Sequence, residues 1–83
     1  MDIANSTAIE RIARVLAGQR ISANAEGDTL SAGQLIDARW QEHLNDALAV
    51  LKTLREPDEA MAEAGDPLIW EAMIRAALRE HGE

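Results

Sequence analysis

Glu42, His43 and Asp46 are the residues whose types and spacing come nearest to a metal site, an imidazole and two carboxylates within about one helical turn. A zinc centre needs three or four such donors converging on one point. His81 is the only other histidine and lies close to the C-terminal end, and the Glu-x-x-His pairs used by di-iron bundles do not occur. On a helical wheel His43 falls inside an apolar stripe with Ile36, Ala47 and Val50, which is the position of a half-buried histidine satisfied by one hydrogen bond. The sequence therefore assigns no metal ligand.

Other candidate chemistry resolves in the same way. Glu59 and Glu63 share a helix face, yet general acid–base work needs two carboxyls in a pocket that separates their pKa values, and these sit in a short Ala-rich segment that reads as solvated. Ser6, Ser22 and Ser31 lie at caps or in a loop, and none has the context of a nucleophile elbow. Lys52 is the only lysine and follows no glycine loop, so no phosphate-cradling motif exists. Trp40 and Trp70 are the only aromatic residues, and they read as packing anchors rather than as the walls of a ligand pocket. No catalytic or cofactor-binding residue and no cofactor is assigned.

The net charge of -7 narrows the partners. Phosphate neutralisation supplies much of the affinity for nucleic acid, so an acidic chain with two aromatics is a poor candidate for DNA, RNA or anionic membranes. The charge is unevenly spread: Glu56, Asp58, Glu59, Glu63 and Asp66 fall in one segment without a basic residue. If that segment acts, Glu56, Asp58, Glu59 and Glu63 are candidates for contact with a basic partner surface. Arg11 and Arg14 lie on one side of the first helix, and a dimer could present them with Arg20 to DNA. Cysteine is absent, which excludes disulfides and thiolate metal sites and fits a reducing compartment. The N-terminus has no basic start or long apolar run, and no stretch approaches a membrane span, so a cytoplasmic location is expected.

The elements that position these residues are all helical. Abundant alanine and scarce valine and threonine suit helix alone. Thr7 and Glu10 form a capping box that starts a helix over 7–17, with Gly18 as its stop and Glu10–Arg14 as an i,i+4 pair. Residues 18–30 read as a loop turning at Gly27-Asp28. Ser31 and Gln34, with a Leu30–Leu35 staple, start a long helix over 32–55 that stops before Pro57. A short helix over 58–64 follows, with Pro57 near its first position and Gly65 at its end. Asp66-Pro67 then caps a last helix over 67–80. The fold class expected is an all-α single domain spanning 1–83, a small bundle of three main helices and one short one. Its core should hold Ile9, Ile12, Leu16, Ile36, Trp40, Leu44, Leu48, Leu51, Met61, Ile69 and Met73.

The last helix is apolar over most of its circumference, leaving a polar stripe of only Glu71, Arg75 and Arg79. Such a helix is normally covered on most sides, and a chain of 83 residues has few helices to cover it. A homodimer is therefore expected, with Trp70, Ile74 and Leu78 at its interface.

The run Leu54-Arg55-Glu56-Pro57-Asp58-Glu59-Ala60-Met61, then Ala64, then Trp70-Glu71-Ala72-Met73-Ile74-Arg75-Ala76-Ala77-Leu78, resembles short all-helical proteins of unknown function from alphaproteobacteria and their phages. Those proteins show an Arg-Glu-Pro-x-Glu-Ala-Met stretch followed by a Trp-x-x-Met-Ile helix. The resemblance spans about residues 50–80 and implies a small bacterial helical protein, without carrying over any catalytic or binding residue. With no chemistry in view, the expected function is a non-enzymatic protein–protein interaction module. A small dimeric DNA-associated regulator is the alternative, and a minor metal-binding protein ranks behind it.

Overall fold

The computed structural model describes residues 3–23 and 32–81. Among them the chain is all-α, with three main helical runs, one short helix and no strand. The elements are α1 (Ala8–Ala23), α2 (Ala32–Arg39), a 3-10 turn (Trp40–His43), α3 (Leu44–Thr53), α4 (Glu59–Ala64) and α5 (Pro67–Arg79). Ser31, Leu30 and the Gly27-Asp28 turn lie outside the described residues. The sequence is expected to form one domain, and its contacts divide it into two compact units, Met1–Ala47 and Leu48–Glu83.

In the first unit Thr7 caps α1 as its residue type requires, its Oγ1 accepting from the Glu10 amide at 3.1 Å. The helix does not stop at Gly18 but continues to Ala23. Ile9, Ala13, Ala17 and Ile21 are buried at a strict i,i+4 spacing, and the helix packs through α2 and the 3-10 turn. Ala13 and Ala17 keep that row low, so the neighbouring backbone comes close. Gly18 serves the same approach, since a Cβ there would lie 3.3 Å from Ile36 Cδ1. The glycine that reads as a stop is a packing residue. Ile12 and Leu16, expected in the core, are only half-buried on the flank of the row.

The long second helix is interrupted. Arg39 leaves helical geometry at φ -123 and ψ -3, and Trp40–His43 form a 3-10 turn before α3 resumes at Leu44. A 3-10 turn advances each residue by about 120° instead of about 100°, so four residues rotate the side-chain phase by roughly 80°. Leu51 is buried as expected, but Ile36, Trp40, Leu44 and Leu48, also expected in the core, are half-buried, and Leu35 and Ala47 are buried. No glycine or proline marks the break.

In the second unit each carboxylate preceding a helix caps it. Asp58 Oδ1 accepts from the Met61 amide at 2.9 Å, and Asp66 Oδ1 accepts from the Leu68 amide at 2.9 Å. Pro57 therefore precedes the cap of α4 rather than opening the helix, whereas Pro67 does occupy the first turn of α5. Gly65 follows α4 with extended backbone (φ -160), a conformation open to any residue. The chain past α3 is held by Trp70, whose indole Nε1 donates to the Leu54 carbonyl at 2.6 Å. That carbonyl belongs to the set that a helix C-terminus leaves without an internal partner.

Candidate interaction surfaces

Helix α5 is turned the opposite way from the expectation. Ile74 and Leu78 are 7% and 4% exposed within a single chain, while Leu68, Ile69 and Met73 are 77%, 59% and 63% exposed. Trp70 is half-buried and occupied by its bond to Leu54. Of the three residues expected at an interface, two are thus core and the third is a structural tie. Ile69 and Met73, expected in the core, face outward. A helix apolar all round gives no periodic signal for which side is covered, and here Ile74 and Leu78 take the inner line.

The outward residues border an apolar groove of about 360 Å³ between α4 and α5, lined among others by Pro57, Met61, Ile69, Trp70 and Met73. Beyond it Ala72 and Ala76 are also exposed, so the outer face of α5 alternates large and small apolar side chains: Ile69, Ala72, Met73, Ala76. Arg75 and Glu71 flank the helix as an exposed i,i+4 pair at 2.7 Å, a contact worth little in stability.

Glu56, Asp58, Glu59 and Glu63 are all exposed. Asp58 and Asp66 are engaged as caps, and Glu59 sits in the first turn of α4, where a carboxylate favours the helix dipole. Much of this acidic run is accounted for by helix starts, and Glu56 and Glu63 are the acids that no cap explains.

Arg14 is the most engaged charge in the first unit. Its Nε donates to Glu10 Oε2 at 2.9 Å, its Nη1 donates to Asp37 Oδ1 at 2.6 Å, and its guanidinium lies 5.3 Å from the centroid of the Trp40 ring. The hydrogen bonds to Asp37 and then Glu10 push its pKa above the usual arginine value. The Glu10–Arg14 pair forms as its i,i+4 spacing predicts, and it engages the carboxylate that a capping box would use. Sequence spacing could find Glu10–Arg14 but not Asp37 or Trp40, which arrive from another helix. Arg11 and Arg20 are exposed. Of the three arginines on α1, Arg14 is the one engaged with Glu10, Asp37 and Trp40.

Glu42 and Asp46 are exposed and His43 is half-buried at the end of the 3-10 turn. Among the described residues no three His, Asp or Glu side chains converge as a ligand set. None of the helices in the described residues is long and apolar enough to cross a membrane.

One cluster went unread in the sequence. Lys52 and Arg55 at the end of α3, with Arg75 and Arg79 on α5, surround Leu78 in a cleft of about 290 Å³. The signal was present as an i,i+3 pair and an i,i+4 pair of basic residues, but only the fold of the second unit joins them.

Comparison with known proteins finds no family model, no curated protein and no solved structure that this chain matches.

Proposed function

We propose that the chain is a non-enzymatic interaction module that pairs with a second copy of itself through the outer face of α5. The observation that supports this is the exposure of Leu68, Ile69 and Met73 on one helix of a small chain. Contiguous apolar surface of this kind marks interaction sites, because leaving it in water forgoes about 25 cal/mol per Å² of possible burial.

The order of the side chains favours a second copy over an unrelated partner. In an antiparallel pair centred between residues 72 and 73, Ile69 meets the Ala76 position and Met73 meets the Ala72 position. Large residues then fill the spaces over small ones along the whole face. A parallel pair sets Ile69 against itself and leaves Ala76 facing Ala76. Antiparallel pairing also brings the acidic start of α5 across from its basic end, with Asp66 near Arg79.

Sedimentation equilibrium at micromolar concentrations tests this reading. Wild-type protein is expected at the mass of two chains, and Ala76→Ile, which sets isoleucine on isoleucine, at the mass of one. The double variant Ile69→Ala with Ala76→Ile exchanges large and small across the pair and is expected to restore the dimer. A wild-type mass of one chain at tens of micromolar overturns the proposal. A wild-type dimer that Ala76→Ile leaves intact places the interface elsewhere.

A further inference from the structure

We infer that the cleft formed by Lys52, Arg55, Arg75 and Arg79 is a binding site for a phosphate-type oxyanion. The chain has fifteen acidic and eight basic residues. Four of those eight basic residues line one cleft of about 290 Å³. Clustering like charges is unfavourable on its own account, and within the chain the Glu71 carboxylate offsets one of the four, Arg75. Helix ends explain part of the arrangement: Lys52 and Arg79 lie in the last turns of α3 and α5, where a cation offsets the dipole. They do not explain why Arg55 and Arg75 line the same cleft.

The donor set fits a compact oxyanion. Arginine presents five N–H donors in a planar fork that matches phosphate oxygens. Arg75 uses Nη2 on Glu71 at 2.7 Å, which fixes its head and leaves further donors on the same guanidinium. Arg79 is exposed and Arg55 half-buried, so both are reachable from solvent. Leu78 lines the cleft from its buried position. The site lies on the Arg75–Arg79 side of α5, and because the proposed pairing brings Asp66 of the second copy near Arg79, the titration is made on Ala76→Ile as well as on the wild type.

The test is an amide-resolved NMR titration of the full chain with inorganic phosphate and with glycerol 3-phosphate, chloride holding the ionic strength constant. Shifts confined to residues around 52–55 and 75–79 and saturating with phosphate are expected. Arg55→Gln with Arg79→Gln should weaken binding at least tenfold, while Arg11→Gln with Arg20→Gln, which removes the same charge from α1, should leave it within twofold. An ester that binds as tightly as free phosphate identifies a phosphorylated ligand, and binding of free phosphate alone identifies the bare ion. Circular dichroism checks folding; should the double variant unfold, Arg79→Gln alone carries the test, with an expected weakening of about threefold. Shifts that do not saturate, equal loss in both double variants, or binding of duplex DNA without binding of phosphate would each overturn the inference.

Discussion

The two units solve the problem of a small helical core in opposite ways. In Met1–Ala47, α1 buries a row in which two of four members are alanine, a glycine beside the row lets α2 approach, and the principal charge is tied to two carboxylates and an indole. In Leu48–Glu83, α5 buries Ile74 and Leu78 and leaves Leu68, Ile69 and Met73 outside, with basic residues gathered in a cleft. The first arrangement commits Arg14 locally, and its exposed large apolar residues, Ile3 and Val15, lie apart from one another in sequence. The second leaves apolar surface exposed on one helix. The contrast is the reason the proposed pairing surface is placed on the second unit.

The sharpest way to break that contrast is to remove a large side chain from each unit. Ile9→Ala deletes a fully buried side chain and is expected to cost about 2–5 kcal/mol in urea unfolding. Met73→Ser, measured below the concentration at which the chain associates, is expected to change stability by no more than about 0.5 kcal/mol. A loss at Met73 as large as that at Ile9 would mean that the outer face of α5 is core, and the contrast would fail.

Smaller effects sharpen the same comparison. Trp70→Phe keeps the ring and removes the indole donor to Leu54, with an expected loss of about 1 kcal/mol. Thr7→Ala removes the cap of α1 and should cost about 1 kcal/mol, visible as a lower urea midpoint at unchanged slope. Gly65→Ala is expected to stabilise by about 0.4–1 kcal/mol, because its backbone is extended, a Cβ there meets nothing within 4 Å, and alanine restricts the unfolded chain. A destabilising Gly65→Ala would show that the turn between α4 and α5 needs a freedom its geometry does not display.

Helix identity was legible because its causes are local. Thr7, Asp66 and Pro67 act where their side chains or rings meet backbone groups within a few residues, so type and position suffice to place them. The scarcity of β-branched residues other than isoleucine removed strands from consideration by the same local logic. Gly18 shows where this stops: a glycine ends a helix or admits a neighbour, and the choice depends on Ile36, a residue on another helix. The 3-10 turn at Trp40 likewise has no local marker; Leu51 is buried as expected, while Leu35 and Ala47 are buried and Ile36, Trp40, Leu44 and Leu48 only half-buried.

The candidate surfaces were the least legible part. Sequence alone determined that α5 carries more apolar surface than a polar stripe can balance, because composition and period are properties of one helix. Which of its faces is buried was decided only by tertiary packing, which seated Ile74 and Leu78 inward and left Ile69 and Met73 in water. The basic cleft was decided in the same way. Lys52 and Arg55 lie twenty or more positions from Arg75 and Arg79, and charge acts through space, so only the folded chain makes them one site.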